Sequence, residues 1–245
     1  MIHVELYDGL LTLQLCRPDR GNALDESTVS ALQRAIDEAM NEPKIHSLLI
    51  HSSSQHFCTG FDLSNIETLS DDILEARLVA IEKLLQTLWY APLRSLALCE
   101  GRAWGAGADL LAVCDQPWLG PQASIRFPGV SFGLILGTRR LGSIIGSARA
   151  MQWLSEGFIV DQAQAVSSGL AQAAYEEDMF RTLVEKFRTP PTADRSTMLR
   201  LRQQLRPDHR QADMQALIDS ANDGSLLQRI AAYRQSSLAN RPGSK

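Results

Sequence analysis

Apolar and polar positions alternate with period two through HVELYDGLLTLQL (3–15), on both sides of Asp8-Gly9. That dipeptide suits a two-residue turn, so the chain is predicted to open as a β-hairpin. From Ser27 to Met40 the period changes, with apolar residues at Ala31, Leu32, Ala35, Ile36, Ala39 and Met40. This is the spacing of a helix with one buried face, broken afterwards by Pro43. SLLIHS (47–52) reads as a short strand, and a polar loop leads from it into FCTGFDL. A second periodic helix carries Ile73, Leu74, Leu78, Ile81, Leu84, Leu85 and Leu88; after Pro92, RSLALC (94–99) reads as a buried strand. Helical spacing returns at 138–156 and 161–168, and beyond Pro190-Pro191 it continues without strand signals. Strands alternating with amphipathic helices predict an α/β fold with crossover units, residues 1–190 forming the core and 191–245 a helical tail with a frayed polar end at NRPGSK.

Composition narrows the function classes. A chain of 245 residues, 44% hydrophobic and 21% charged, is long enough to bury one sizeable core. A net charge of −4 gives no broad basic footprint, so no nucleic-acid partner is expected. No apolar run reaches the ~18 residues of a membrane span, and MIHVELYDG alternates like a strand, unlike a signal peptide. The expected setting is the cytoplasm, without a membrane partner. Cys16, Cys58, Cys99 and Cys114 are scattered, and the five histidines are unclustered, so neither a metal site nor a disulfide framework is expected.

The stretch GRAWGAGADLLAVCD (101–115) places small residues at 105–108 and then one carboxylate, Asp109, in an apolar run. A phosphate cradle would need a third glycine where Leu110 stands, or a Gly-Lys pair, and the chain has neither. A G-x-S-x-G nucleophile elbow is also absent. A strand, a tight turn and a helix start remain, and outward N–H groups there suit developing negative charge on an oxygen. A second such turn is FCTGFDLSNI (57–66), where Asp62 is expected to cap the short helix that follows. Asn22 is expected to organise the turn before the first helix. Arg139 and Arg140 read as a solvated helix face.

Together with RPDRGNAL (17–24), GTRRL (137–141) and LGSIIGSARAMQWLSEG, these two segments resemble the crotonase superfamily, the enoyl-CoA hydratase/isomerase family, over residues 1 to 190. The resemblance implies a crotonase-like fold of repeated ββα units with a helical C-terminal part, assembly as a homotrimer or a dimer of trimers, and acyl-CoA thioester substrates, coenzyme A arriving with the substrate and no separate cofactor. It places the two oxyanion N–H groups on Phe61 and Ala106, the latter a glycine in most relatives. It further implies substrate or CoA contacts at Gly60, Phe61, Asp62, Leu63, Trp104, Gly105 and Gly129. Hydratases of the family carry two glutamates. The first aligns with Asp109, one methylene shorter; the second falls at Gly129, which has no side chain, and about three residues are missing between Leu136 and Gly137. The resemblance thus implies a thioester enolate held in a backbone oxyanion hole with Asp109 as sole acid or base. The alternatives are a non-catalytic acyl-CoA binder, a trimeric scaffold, or another crotonase reaction such as isomerisation, thioester hydrolysis or decarboxylation.

Overall fold

The computed structural model describes residues 1–239; the NRPGSK end lies outside the described residues. Strands β1 (Ile2–Tyr7) and β2 (Leu10–Leu15) pair antiparallel, Tyr7 opposite Leu10. Asp8 (φ 44°) and Gly9 (φ 80°) are both left-handed, as a two-residue turn matching the strand twist requires. Helix α1 (Glu26–Asn41) is capped by Asp25, whose carboxylate accepts the Thr28 N–H, and buries Val29, Leu32, Ala35, Ile36 and Ala39. Strand β3 (Ser47–Ser52), helix α2 (Asp71–Tyr90) and strand β4 (Arg94–Cys99) follow as their periodicities predict. Then come β5 (Arg102–Trp104), α3 (Ala106–Ala112), β6 (Gln116–Leu119) and β7 (Ser124–Arg126).

The 138–156 pattern forms two helices, α4 (Thr138–Ile145) and α5 (Ser147–Ser155), because Gly146 at φ 83° interrupts the hydrogen-bond ladder between them. Beyond them lie β8 (Val160–Asp161), α6 (Gln162–Ser168), β9 (Ala173–Ala174) and α7 (Phe180–Arg188). The tail forms α8 (Arg195–Leu205), α9 (Arg210–Ala221) and α10 (Leu226–Ala239).

The main sheet runs β1-β2-β3-β4-β6-β9 and is parallel from β2 onward; a small second sheet runs β5-β7-β8. The ββα repeat lies in this division. β4 and β6 each belong to the main sheet and are followed by a short strand, β5 or β7, of the second; after β3 the equivalent piece is a single bridge of Cys58 to Ala103. A main core sits between the large sheet and α1, α2 and α3, around Leu13, Leu32, Ile36, Leu48, Leu84 and Leu110.

The tail folds back on α2. Leu217, Leu226 and Ile230 pack with Ile66, Leu74, Leu78 and Leu134 in a second apolar cluster. Its other anchor is ionic. Buried Arg202 and its neighbour Arg206 both reach Asp115 at 2.7–2.8 Å, and burial of Asp115, which raises its pKa, is outweighed by these two guanidiniums, leaving it below the usual carboxylate range.

Candidate active site

Three glycines and one alanine bring the two turns together. Gly60 (φ 95°) lies where a Cβ would stand 2.5 Å from the Trp104 carbonyl oxygen and 3.3 Å from the Ala106 nitrogen. Gly107 lies where a Cβ would stand 2.2 Å from the Cys58 carbonyl oxygen. Side chains at either position would force the turns apart. Gly105, at φ 54° and ψ −131°, takes a backbone conformation that a Cβ forbids and starts α3 directly behind it. The contact is held by main-chain hydrogen bonds, Cys58 N–H to Arg102 O at 3.0 Å and Trp104 N–H to Cys58 O at 2.9 Å.

This packing leaves two donors without acceptors. Gly60 O and Asp62 N–H both bond Leu24, so the extended backbone turns the Phe61 N–H to the opposite side. Ala106 opens α3, and the first N–H groups of a helix have no intrahelical partner. Among the described residues no acceptor takes either N–H. Ala106 keeps a right-handed backbone, since the positive-φ residues other than glycine are Asp8, Asn22 and Asn65.

Phe61, Gly105 and Ala106 line a cavity of about 400 Å³ that Asp109 also faces. Its walls are apolar, with Leu63, Trp104, Phe127, Val130, Leu134 and Leu136 around the Pro128–Gly129 turn. Helix α10 closes one side with Ile230, Tyr233 and Arg234. Asp109 is the one carboxylate among the described residues lining this cavity. Its side chain is buried and packs against Gly137, where a Cβ would stand 2.0 Å from Oδ1. Burial pushes the carboxyl up to about 8, Arg140 opposing the shift and Glu82 adding to it. At neutral pH this group is an acid holding its proton. No hydrogen bond from another described residue reaches the carboxyl.

Most of the residues expected from the sequence converge here: Phe61, Leu63, Trp104, Gly105, Ala106, Asp109 and Gly129. Gly60 stands behind the cavity wall. Asp62 does not line it, and its expected helix cap is corrected. The single turn at Ile66–Thr68 begins at Asn65 without a side-chain bond, whereas Asp62 accepts the Ser64 N–H and hydroxyl at 2.9 and 2.6 Å and the Arg17 guanidinium at 2.9 Å. Burial raises the Asp62 carboxyl, but the Ser64 and Arg17 bonds outweigh it and leave it lowered, suited to fixing a loop. Asn22 does organise its turn, accepting the Arg17 N–H and donating to Ser52, Ser54 and the His56 carbonyl.

Arg140 is the larger correction. It is buried, and it meets Glu82 of α2 through two bonds of 2.8 and 2.6 Å. Arg139 remains exposed and pairs with Asp213 of α9 at 2.7 Å. The contributions of α10 and of Glu82 were not anticipated. Glu82 had a signal, since it falls on the apolar stripe of α2 between Leu78 and Leu85, where a solvated carboxylate has no place. Among the described residues there is no His, Cys, Asp and Glu cluster that would hold a metal ion.

Paired ββα turns, two unbonded N–H groups and an apolar cavity with a carboxyl behind them define the crotonase class of fold. Residues 5–222 match the model of the enoyl-CoA hydratase/isomerase family, and the chain belongs to that family. A crystal structure from Bordetella parapertussis, assigned to the same class, is 33% identical and superposes with a TM-score of 0.92 over 98% of this chain and 99% of that one. An enoyl-CoA hydratase from Bacillus halodurans shares the fold at 21% identity and a TM-score of 0.82, over 94% of this chain and 99% of that one. Among curated proteins, mouse ethylmalonyl-CoA decarboxylase is 31% identical over 182 residues, 73% of this chain and 56% of that protein. A probable enoyl-CoA hydratase of Mycobacterium leprae is 29% identical over 177 residues, 70% of each chain. The matched region thus spans little more than half the length of the decarboxylases.

Proposed function

We propose that the protein processes acyl-CoA thioesters through an enolate, with the Phe61 and Ala106 N–H groups holding the thioester oxygen and Asp109 delivering the proton. The observation that carries this reading is a buried carboxyl, pushed up to about 8 by its burial, on the same apolar cavity as two unbonded N–H groups. Donors fixed in a dry site favour the oxyanion over the neutral carbonyl by several kcal/mol, about 3 for each donor.

One acid suits a reaction that needs one proton. In decarboxylation of a 2-carboxyacyl-CoA, the bond from the α-carbon to the carboxylate breaks and carbon dioxide leaves. The electron pair moves onto the thioester oxygen, and Asp109 then protonates the α-carbon and regains its proton from solvent. An apolar cavity disfavours the substrate carboxylate relative to neutral carbon dioxide, which assists the step. The similarity to ethylmalonyl-CoA decarboxylases supports the same class. Hydration needs a second group to activate water, and Gly129 offers none.

The test incubates the protein separately with ethylmalonyl-CoA and crotonyl-CoA in deuterated water. Expected are carbon dioxide release and one deuterium at the α-carbon from the first, and at most slow loss of enoyl absorbance from the second. Efficient crotonyl-CoA hydration without decarboxylation sinks the decarboxylase reading; binding of both thioesters with no turnover of either identifies a binder.

A further inference from the structure

Behind Asp109 lies a buried ion pair that the proposed chemistry does not use. Gly137, where a Cβ would collide with the Asp109 carboxyl, precedes helix α4 as its N-cap, and Arg140 follows three residues later in the first turn. An arginine whose charge reaches a buried acid would ordinarily draw it into a salt bridge. Here both terminal nitrogens of Arg140 point to Glu82, at 2.8 and 2.6 Å, and Arg140 makes no hydrogen bond to Asp109. Glu82 is itself 1% exposed and is fixed by a further bond of 2.7 Å from Gln86. Asp213 of α9 stands 3.7 Å from Arg140 and 2.7 Å from Arg139. Two cations and two anions therefore balance without Asp109. Across the cavity, Arg234 of α10 is committed to Glu67 at 2.6 Å, and Tyr233 lines the wall beside it.

We propose that Glu82 and Arg140 are positioning residues for the Asp109 proton: Glu82 occupies the guanidinium, and Asp109 is left a neutral acid facing the cavity. The inference rests on the reading of Asp109 as proton donor only for its use in turnover; the protonation itself is a property of the free protein. Removing the Glu82 charge should leave Arg140 with a surplus that Asp109 answers by ionising. An opposite charge at short range lowers a carboxyl pKa by about 1–3 units. Removing both charges should leave desolvation alone in control, and the acid should stay protonated.

Infrared difference spectroscopy tests this without substrate. The protonated carboxyl band that Asp109→Asn deletes is followed through pH in wild type, Glu82→Gln and the Glu82→Gln/Arg140→Gln pair. Expected is a wild-type midpoint near 8, a fall of about one unit or more in Glu82→Gln, and a return to the wild-type midpoint in the pair. An unmoved midpoint in Glu82→Gln, or a wild-type band already lost at ordinary carboxylate pH, overturns the proposal. If Glu82→Gln does not fold, the paired variant decides, a lowered midpoint there being contrary to it. Absence of decarboxylation in wild type, with the spectroscopic shifts as expected, would count against the catalytic reading alone.

Discussion

Asp109 carries most of the chemistry at the scale of single residues, and its environment sets two expectations. Asp109→Asn keeps the shape of the side chain but not the acid, so kcat should fall by about 10²-fold or more while thioester binding persists, as steady-state kinetics and calorimetry would show. The same variant should affect stability in a definite direction. The folded carboxyl is raised to about 8, so between the ordinary carboxylate value and 8 the unfolded chain holds fewer protons than the native one. Stability contributed by the retained proton is complete at low pH and is lost as pH rises through that window. Asp109→Asn removes this loss, and its melting temperature should exceed that of wild type by a margin that widens from about pH 4 to pH 8. The two turns and the lone carboxylate were visible in the sequence, but the roles of Phe61, Ala106 and Asp109 came from the family resemblance, since taken alone Asp109 reads as a helix-start carboxylate satisfying free N–H groups. The state of the acid was not legible. It depends on Glu82 and Arg140, which lie far apart in the chain, and the Arg139-Arg140 doublet looks identical whether it faces water or a buried partner.

Elements carry the geometry. The first turn and the start of α3 touch through backbone at Gly60 and Gly107, with no space left for a methyl group. Gly107→Ala should cost about 1–3 kcal/mol by overpacking and should push the Phe61 and Ala106 N–H groups apart, lowering kcat more than affinity in parallel kinetic and thermal assays. Gly129 behaves oppositely. Its φ is not left-handed, and an added Cβ would meet the Leu134 carbonyl at an ordinary 3.5 Å. Gly129→Glu is therefore expected to fold and to place a second carboxylate on the cavity. Crotonyl-CoA hydration should rise by about tenfold or more, with a bell-shaped pH profile from two coupled acids; a folded variant without any gain would exclude this position for a water-activating group. The hairpin, α1, α2, β3 and β4 were legible because their periodicities extend over several residues. The strands β5 to β9 were not, since two to four residues show no period, and the split of α4 from α5 depends on one left-handed glycine within a helical pattern.

For the whole molecule, the tail completes the site. Residues 191–245 read as helical from their composition and spacing, but only the folded chain places Ile230, Tyr233 and Arg234 on the cavity and Leu217 and Leu226 against α2. Substituting Ile230 with Asp should put an unpaired charge into that apolar cluster, opening the cavity and lowering acyl-CoA affinity together with thermal stability. A variant that binds as wild type would detach the tail from the site. The assembly expected from the family resemblance is a trimer. Light scattering should report three chains or a multiple, and a clean monomer at micromolar concentration would contradict it.

The most direct test of a neutral acid that protonates an enolate is the pH dependence of kcat for ethylmalonyl-CoA decarboxylation in wild type and Asp109→Asn. The protonated form is present below the folded pKa, so wild-type kcat should hold through neutral pH and fall along a single limb near 8. In Asp109→Asn the residual rate should be flat across that range. A wild-type rate that rises through pH 8, or an Asp109→Asn variant that keeps full activity with the limb intact, would contradict the account.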